Sequence, residues 1–597
     1  MMRAAPDAGL RSPLRAWTRA LERTSAIGRD PRQTLPVVIE QLAERCGDAA
    51  ALVGAEATLS YGELAGASRR FARWGLAQGL APGDVICLVM KNCPEYFALW
   101  LGLSRIGVSV ALINTNLTGE LLRHSIDVVH PSHVVIGPSF ATALAQVRTG
   151  MGAGVGCWAY GAGPHDLARL DLAAGSLSGA PLTAAERPLP LLTDRALLIY
   201  TSGTTGLPKA ANVSHLRLMQ WSHWFAGLTG MRPGDRLFNC LPMYHSVGGV
   251  VATGAALAGG GAVVLRERFS ARTFWKDVAA EQCTVFQYIG ELCRYLLNAA
   301  HDPHEARHQL RLACGNGLRP EVWESFQRRF RIPQILEYYA STEGNFSLYN
   351  CEERVGAIGR IPPFLAHRIP VALVKYDVDA ARPARDERGH CVACAANEVG
   401  EAIGRVVDAD PATRFEGYTD PAASRDRILR DVFAKGDAWY RSGDLMRRDA
   451  HGFFYFVDRV GDTFRWKGEN VSTTEVAAVI AGCRGVREAA VYGVSVPNAE
   501  GRAGMAALVV APEFELAELH RTAADTLPAY ARPVFVRLAA RLDTTGTFKL
   551  RTQELAREGY DPAALSDALY FDDAARGEYV PLDAALYRRI ASGGLRL

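Results

Sequence analysis

A short run rich in glycine and hydroxyl side chains constrains this chain more than any other feature. Residues 200–210 read Tyr-Thr-Ser-Gly-Thr-Thr-Gly-Leu-Pro-Lys-Ala and follow an apolar stretch, 196–200, that is typical of a buried strand. Residues 215–221, just beyond it, have helical spacing. Backbone N–H groups, hydroxyls and a lysine that converge between a strand and a helix indicate a polyphosphate site. An ordinary polar surface loop is the alternative, and so dense a set of hydroxyls disfavours it.

The run is not a P-loop of the Walker A type, because Gly-Lys-Ser/Thr never occurs at the required spacing. It resembles the phosphate loop of the adenylate-forming enzymes, which include acyl-CoA synthetases, luciferases and peptide-synthetase adenylation domains. That resemblance implies that this run binds ATP. The residues concerned are Thr201, Ser202, Gly203, Thr204, Thr205, Gly206 and Lys209.

A second motif, Glu337-Tyr-Tyr-Ala-Ser-Thr-Glu-Gly-Asn345, places an aromatic ring, a hydroxyl and a carboxylate at the end of a predicted strand. An aromatic ring can stack on adenine, and a carboxylate can hold Mg²⁺ against phosphate oxygens. An ordinary strand ending in a turn accounts for Gly344-Asn345 but leaves Glu343 unexplained. The family resemblance implies adenine stacking by Tyr339, catalytic roles for Thr342 and Glu343, magnesium binding by Glu343, and an adenine-lining segment of Gly315, Asn316 and Gly317.

Two further motifs follow in the order that the family has them. In Tyr440-Arg-Ser-Gly-Asp-Leu445, a carboxylate after a glycine turn suits the two hydroxyls of a ribose, and the resemblance assigns that role to Asp444. In the segment 456–476, it implies a nucleotide contact for Arg459 and a hinge between domains at Gly461. Glycine tolerates the changes in backbone dihedral angles that a hinge requires.

The last motif, Leu542-Asp-Thr-Thr-Gly-Thr-Phe-Lys549, ends on one of only seven lysines in the chain. The resemblance implies that Lys549 is the catalytic lysine, a cation that stabilises charge as the acyl oxygen attacks phosphorus. An exposed structural lysine is the alternative. Phe548 stands where most relatives have glycine, and Asn470 where many have arginine. Both departures resemble the branch of fatty-acid transport proteins and very-long-chain acyl-CoA synthetases.

The run Leu241-Pro-Met-Tyr-His-Ser246 carries a weaker signal. The family places an aromatic residue or a histidine here beside the substrate carboxylate, which implies a substrate-binding role for His245. A histidine that is simply satisfied within the core is the alternative.

The chain is predicted to be an α/β protein. Its 597 residues are too many for one core, and from about residue 60 to 345 short apolar strands alternate with helices, which favours mainly parallel sheets. We expect an extension at 1–34, a large AMP-binding domain at 35–460 with mixed, mainly parallel sheets and a small β-rich subdomain, and a mobile α+β domain at 461–597 that carries Lys549.

The overall charge bears on nucleic-acid binding, and the cysteines bear on the cellular compartment. A net charge of +3 on a chain of this size indicates no nucleic-acid partner. The twelve scattered cysteines and the lack of a signal peptide favour a cytoplasmic protein, with peripheral contact at the inner face of the cell membrane left open. No segment predicts a transmembrane helix, and nothing indicates an oligomeric state.

The N-terminal segment is rich in arginine, with six arginines and three acids in residues 1–31. Helical spacing would place Arg15, Arg19 and Arg23 on one face, and Leu14, Trp17 and Leu21 on another. A membrane-surface or transit role is one interpretation. A solvated helix is the prediction that we favour.

Together the motifs predict a long- or very-long-chain fatty acyl-CoA synthetase that uses ATP, Mg²⁺ and CoA to convert a fatty acid through an acyl adenylate, with coupling to fatty-acid uptake left open. A membrane-associated fatty-acid transport protein with incidental catalysis is one alternative. A CoA ligase for a carboxylate like that of a bile acid is another. An adenylation domain that loads a carrier protein is disfavoured, because no carrier segment is evident after Lys549.

Overall fold

The computed structural model describes residues 13–152, 154–202, 207–378, 380–410, 413–467, 469–497, 501–544 and 550–595. The chain divides into two compact units. Unit 1 comprises Met1–Pro362 and Val406–Ile428, and unit 2 comprises Pro363–Arg405 and Leu429–Leu597. In the described residues, no helix is both long and apolar enough to cross a membrane.

The helices α1–α13 belong to unit 1 and α14–α17 to unit 2. They are α1 Pro13–Thr24, α2 Leu35–Cys46, α3 Tyr61–Ala77, α4 Pro94–Arg105, α5 Gly119–Asp127, α6 Ala141–Arg148, α7 Leu170–Gly175, α8 His215–Leu228, α9 Thr253–Ala258, α10 Phe274–Ala280, α11 Gly290–Asn298, α12 Pro320–Phe330, α13 Pro421–Asp426, α14 Thr473–Ala481, α15 Leu516–Thr526, α16 Thr552–Glu558 and α17 Ala584–Ala591. A π-helical stretch, Val247–Ala252, leads into α9.

The strands of unit 1 are β1 Ala50–Val53, β2 Thr58–Ser60, β3 Val85–Val89, β4 Ser109–Leu112, β5 His133–Ile136, β6 Gly156–Ala159, β7 Ala168–Arg169, β8 Arg195–Ser202, β9 Pro208–Ser214, β10 Arg236–Asn239, β11 Ala262–Leu265, β12 Val285–Ile289, β13 Leu312–Asn316, β14 Ile335–Ala340, β15 Ser347–Asn350 and β16 Gly359–Arg360.

Those of unit 2 are β17 Val371–Val374, β18 Tyr376–Asp377, β19 Arg382–Pro383, β20 Val399–Arg405, β21 Ile428–Arg430, β22 Ala438–Arg448, β23 Phe453–Arg459, β24 Phe464–Trp466, β25 Glu469–Val471, β26 Val486–Ser495, β27 Arg502–Val510, β28 Phe535–Leu538, β29 Ala568–Asp573 and β30 Glu578–Pro581.

Two mainly parallel sheets form the framework of unit 1, which confirms the predicted α/β class. One has the strand order β7-β6-β5-β3-β4-β8-β9, parallel except at β8–β9. The other runs β16-β15-β14-β13-β12-β10-β11-β1-β2, and its parallel part extends from β14 to β1. Every residue of β3 is buried, as expected for a parallel strand that helices cover on both faces.

Unit 2 holds the smaller sheets. Strands β17-β20-β22-β23 are antiparallel, and β26-β27-β28-β29-β30 are antiparallel except at β27–β28. Helices α14 and α15 bury Val476, Ile480 and Leu519 in the core that the second of these sheets shares. The predicted small β-rich subdomain is therefore observed, in strands β17, β20, β22 and β23. The domain boundary that we expect at Gly461 stays a prediction.

The glycine-rich run does not connect a strand to a helix, contrary to the sequence-based expectation. Strands β8 and β9 pair antiparallel on either side of it, with Thr201 opposite Lys209 and Ser202 opposite Pro208. Helix α8 begins only at His215, after β9 is complete. Residues 201–202 and 208–209 of the run are thus paired strand residues.

Helix α1 is packed against the rest of unit 1, so the prediction of a solvated helix is wrong. Ala16, Trp17 and Ala20 are buried, whereas Leu14 is 63% exposed. Arg19 and Arg23, which helical spacing places on one face of α1, donate hydrogen bonds to backbone carbonyls around the end of α8. Small residues let the helix backbones approach closely, and the arginine side chains then find carbonyl acceptors.

Candidate functional site

A buried carboxylate lies at the centre of the candidate site in unit 1. Glu343 follows β14 and is only 6% exposed. The Tyr418 hydroxyl donates a 2.8 Å hydrogen bond to its Oε1, and Nη2 of Arg427 lies 3.7 Å from the same oxygen. A buried carboxylate without partners would be costly, so these two donors stabilise it in place.

Tyr418 reaches Glu343 because its segment runs beside β9. The Asn212 N–H donates to the Gly417 carbonyl, and the Thr419 N–H donates to the Ala210 carbonyl. These bonds fix the backbone on both sides of the tyrosine. Burial and the nearby Glu343 charge raise the pKa of Tyr418 to about 12, so its hydroxyl remains a donor at neutral pH.

The start of the glycine- and hydroxyl-rich run, residues 200–210, lies close to Tyr418. Thr201 lies at the end of β8, and a hydrogen bond from its side chain to Tyr418 opposes the rise in that pKa. Lys209 lies opposite Thr201 in β9 and is half-buried. Ser202 is the last residue of β8. The predicted phosphate ligands Gly203, Thr204, Thr205 and Gly206 lie outside the described residues.

The expected adenine segment forms the end of β13. Gly315 packs so closely on Tyr288 that an added Cβ would lie 2.3 Å from the tyrosine carbonyl oxygen, and Gly317 has φ +78°. Both positions therefore require glycine. The Asn316 Oδ1 is buried and accepts no hydrogen bond from the described residues. A buried acceptor without a donor fits a ligand that brings its own N–H group, such as the amino group of adenine.

Glu337 fixes the backbone of the expected adenine segment, although the sequence motif gave no role for its side chain. Its Oε1 accepts the Leu318 N–H at 3.1 Å, and its Oε2 accepts the Tyr288 hydroxyl at 2.6 Å. Complete burial raises the pKa of Glu337 to about 8, although these hydrogen bonds oppose the rise. Glu337 is thus a positioning residue beneath the expected adenine site.

Glu337 predicts a measurable pH dependence of stability. Its pKa is higher in the fold than in the unfolded chain, so the stability it contributes is complete below about pH 4.5 and is lost as pH rises through about pH 8. Glu337→Gln mimics the neutral acid. We expect urea denaturation of the variant to show a smaller decrease in unfolding free energy over this range, by at least about 1.4 kcal/mol, the value of one pKa unit.

The matched control for this prediction is Glu324→Gln, an exposed glutamate on α12. Its stability should follow the wild-type pH dependence. If the Glu337→Gln protein also followed the wild-type curve, with a constant offset, Glu337 would not titrate as proposed.

Successive side chains of β14 point to opposite faces of the strand, and the two faces have different surroundings. The Tyr339 ring packs on the Phe346 ring, 5.9 Å between centroids, and is half-buried. Tyr338 points to the opposite face, as neighbours in a strand do, and packs edge-on against Phe225 of α8. The face of Tyr339 suits a planar base, and the face of Tyr338 is apolar.

An apolar cavity lies on the Tyr338 face, between α8, the π-helical stretch and β14. Its walls include Trp221, Phe225, Val247, Val251, Tyr338 and Thr342. At its polar end, the hydroxyls of Ser246 and Thr342 lie 3.0 Å apart. Ser246 belongs to the same Leu241–Ser246 run as His245, but nothing in the sequence identified it as a site residue. The cavity reaches Thr342, and the next residue is the buried Glu343.

His245 lies beside this polar end, immediately before Ser246. Its ring is 4.5 Å from that of Tyr244 and is half-buried. Desolvation lowers the pKa of His245 to about 4, so the ring is neutral at pH 7. It can therefore offer a substrate carboxylate a neutral N–H rather than a positive charge.

Asp444 and Arg459 are neighbours in unit 2. They lie opposite each other in β22 and β23, and Arg459 Nε is 3.6 Å from Asp444 Oδ1. Asp444 does not follow a tight turn, as the sequence suggested: Gly443 lies within a strand, with φ +73°. The register with β20 shifts at this point, so the glycine marks a bulge. A bulge changes the direction in which the Asp444 carboxylate points without ending the strand.

Gly461 lies just beyond β23, where an added Cβ would meet no atom of the described residues within 4 Å. Nearby, Asp458 is buried and accepts hydrogen bonds from the N–H and the hydroxyl of Thr473, at the start of α14. Burial raises the pKa of Asp458. The aspartate therefore ties β23 to the helix that follows. The predicted catalytic residue Lys549 lies outside the described residues.

The residues fit a magnesium ion that is bound together with phosphates. Among the described residues, no group of three or more His, Cys, Asp or Glu side chains could hold a metal ion by itself. Glu343 supplies one buried carboxylate. Mg²⁺ is commonly held by one or two carboxylates plus substrate phosphates, so a single glutamate is sufficient on the protein side.

Family comparison gives two matches along the chain. Residues 39–375 match the AMP-binding enzyme family, and residues 475–549 match the C-terminal domain of AMP-binding enzymes. Long-chain fatty acid transport protein 1 of Mus musculus is 43% identical over 571 residues, with 94% of this chain and 88% of the relative covered. Long-chain fatty acid transport protein 3 of Homo sapiens is 42% identical, with 87% and 76% covered.

Solved structures show the same fold. The anthranilate CoA ligase AuaEII, in complex with anthranoyl-AMP, superposes with a TM-score of 0.78 at 18% identity and covers 91% of this chain and 100% of its own. A fatty acyl CoA synthetase of Mycobacterium tuberculosis gives a TM-score of 0.61 at 22% identity, with 88% and 99% covered.

Proposed function

Because the chain belongs to the AMP-binding enzyme family, we propose that it is a fatty acyl-CoA synthetase, an acid–thiol ligase that consumes ATP and CoA. The observation that carries the proposal is the meeting of an apolar cavity with a buried carboxylate at consecutive residues, Thr342 and Glu343. The apolar lining of the cavity, whose volume is about 30 Å³, suits the first methylenes of an acyl chain. The carboxylate suits a magnesium-bound phosphate. The acyl carboxylate would then lie where the two environments meet.

In the first half-reaction, an oxygen of the fatty carboxylate attacks the α-phosphorus of ATP. The bond from that phosphorus to the β-phosphate oxygen breaks, and diphosphate leaves. We assign the phosphates to residues 201–206 and Lys209, and the charge that develops at the α-phosphate to Lys549. Mg²⁺ bound by Glu343 would neutralise phosphate charge. Thr342 and the neutral ring of His245 would orient the carboxylate.

In the second half-reaction, the thiol sulfur of CoA attacks the acyl carbonyl carbon, the thiol loses its proton, and AMP leaves. Free carboxylate could not react in this way, because its leaving group would be oxide. We propose that the C-terminal part of the chain turns about Gly461 between the two steps and withdraws Lys549. An open environment at Gly461 permits such a change.

The local geometry supports the nucleotide assignments. Tyr339 would stack on adenine, and Asn316 Oδ1 would accept its amino group, supported by the buried Glu337. We assign the ribose hydroxyls to Asp444, with Arg459 as a second nucleotide contact. A carboxylate can accept both hydroxyls of a ribose.

We propose long or very long fatty acids as the substrates, since two relatives of similar length are named long-chain fatty acid transport proteins. Trapping imported fatty acid as its CoA ester would couple the reaction to uptake, with the enzyme in the cytoplasm or peripheral on the membrane. An acid shaped like a bile acid is the competing substrate.

The test is AMP release from ATP with CoA and Mg²⁺, measured across saturated acids of about C8 to about C24 and with cholate, and compared as kcat/KM. A maximum among the long acids is expected. A maximum at cholate would replace the fatty-acid assignment, and no release with any acid, from protein that binds ATP, would contradict the synthetase proposal.

A further inference from the structure

Asn92 lies in the loop between β3 and α4 and forms hydrogen bonds with both ends of its side-chain amide. Its Nδ2 donates to the carbonyls of Leu241 at 2.8 Å and of Arg266 at 3.0 Å. Its Oδ1 accepts the Met243 N–H at 2.9 Å. Two carbonyls and one N–H therefore meet two donors and one acceptor. This match requires an amide, because a carboxylate has no donor and an ammonium group has no acceptor.

These hydrogen bonds join the two parallel sheets of unit 1. Asn92 follows β3 of one sheet, whereas Leu241 and Met243 follow β10 and Arg266 follows β11 of the other. Strands β3, β10 and β11 all have parallel neighbours, and the bonds of Asn92 bring their carboxyl ends together. Ligands of α/β proteins bind beyond the carboxyl ends of parallel strands, so Asn92 lies where a substrate site is expected.

The residues that this amide holds lead directly to His245. The His245 N–H donates to the Pro242 carbonyl at 3.2 Å, and the His245 carbonyl accepts the Gly249 N–H at 2.7 Å. Gly249 packs so closely on Met243 that an added Cβ would lie 2.0 Å from the Met243 carbonyl oxygen. Residues 243–249 thus form one closely packed segment, and a shift at Met243 would displace His245 with it.

Ser246, the next residue, lies where the acyl carboxylate is expected. Its hydroxyl is 3.0 Å from that of Thr342, at the polar end of the apolar cavity. His245 lies beside it. A displacement of about 1 Å at a position that orients a reacting group can lower a rate about 10²-fold. The support beneath His245 and Ser246 is therefore expected to matter for the reaction.

Asn239 holds the same segment from the other side. At the end of β10, its Nδ2 donates to the Gly248 carbonyl at 2.8 Å and its Oδ1 accepts the Leu241 N–H at 3.1 Å. Asn239 is completely buried, so its loss would disturb the core itself. Asn92 is only half-buried, and water can replace its hydrogen bonds in a variant. We therefore expect the fold to tolerate a change at Asn92.

We propose that Asn92 is a positioning residue that holds His245 and Ser246 in place for the carboxylate of the acyl substrate. This rests on the proposed synthetase function. Asn92 acts through the backbone of the Leu241–Ser246 run and does not itself contact the substrate. Its loss should affect the first half-reaction, in which the carboxylate attacks phosphorus. The effect should be equal for acids of every length, because all of them share the carboxylate.

Asn92→Asp keeps the size of the side chain but places an oxygen against two carbonyls. We expect kcat/KM for the acid, measured by diphosphate release, to decrease about 10²-fold in this variant and about tenfold in Asn92→Ala, where water takes the place of the amide. Thioester formation from supplied acyl adenylate should stay within about twofold of wild type. An unchanged first half-reaction in a folded variant, an equal loss of both half-reactions, or a loss that grows with chain length would overturn the proposal.

A double-mutant cycle separates positioning from a general effect on the fold, and it decides the question if the aspartate variant does not fold. His245→Ala/Ser246→Ala removes the two side chains that Asn92 is proposed to hold. Adding Asn92→Ala to that protein should lower diphosphate release by no more than about twofold, instead of about tenfold. A further loss of about tenfold would mean that Asn92 acts independently of these side chains, and the proposal would be wrong.

Asn350→Ala is the matched control. Asn350 makes the same kinds of hydrogen bond: it donates to the Arg354 and Ala357 carbonyls and accepts the Arg354 N–H. None of these residues is among those that line the cavity. The variant should therefore have a lower Tm but a kcat/KM for the acid close to wild type, and a loss as large as that of Asn92→Ala would overturn the proposal. If the wild-type protein releases AMP with no acid, the synthetase proposal itself fails, which is a different result from an active Asn92 variant.

Discussion

Replacing Lys549 by alanine should reduce acyl-adenylate formation by about 10³-fold and leave thioester formation from supplied acyl adenylate within about tenfold of wild type. The reason is that charge develops on the α-phosphate only in the first half-reaction, where a nearby cation stabilises the transition state. Diphosphate release measures the first step, and acyl-CoA formed from synthetic acyl adenylate measures the second.

Lys435→Ala is the matched control, because Lys435 is an exposed lysine of unit 2. Both half-reactions should be unchanged in that protein. An equal loss of both half-reactions in the Lys549→Ala protein would contradict the assigned role.

Glu343→Gln should lower kcat/KM for ATP by about 10²-fold or more and raise the Mg²⁺ concentration needed for half-maximal rate. The substitution keeps the size of the side chain and removes the charge that we propose for magnesium binding. AMP release over a magnesium titration measures both effects, and a thermal melt checks that the loss of the Arg427 ion pair has not unfolded the protein.

Tyr418→Phe separates the carboxylate charge from its hydrogen bond. It removes the 2.8 Å donor to Oε1 but leaves the charge, so we expect a loss of only about tenfold, the equivalent of about 1.4 kcal/mol. A magnesium titration of Glu343→Gln that overlaid the wild-type curve would exclude Glu343 as the metal ligand.

Much of the fold follows from hydrophobic periodicity. The apolar runs at 85–90, 133–136 and 262–265 are strands in the structure, and the stretch at 61–76 is α3. These segments are buried within parallel sheets or begin with a clear cap: the Ser60 side chain accepts the Glu63 N–H, and Glu63 accepts that of Ser60. Local sequence is sufficient where local structure and burial agree.

Partners distant in sequence could not be predicted. Tyr418 meets Glu343 across 75 residues and Tyr288 meets Glu337 across 49, through contacts that only the tertiary fold creates. The site motifs located the ends of strands, but not the side chains that support them. For the same reason α1 was wrongly predicted to be solvated. Its arginines have a polar pattern, and their acceptors lie more than 200 residues away.

The most direct test of the acyl-adenylate route is the fate of the carboxylate oxygens. A long-chain fatty acid carrying ¹⁸O at both carboxylate positions is incubated with ATP, Mg²⁺, CoA and the enzyme. The masses of the AMP and diphosphate that form are then measured by mass spectrometry. The attacking oxygen stays on phosphorus when CoA displaces the nucleotide, so AMP should be about two mass units heavier and diphosphate unlabelled. Unlabelled AMP formed together with acyl-CoA would contradict the proposed mechanism.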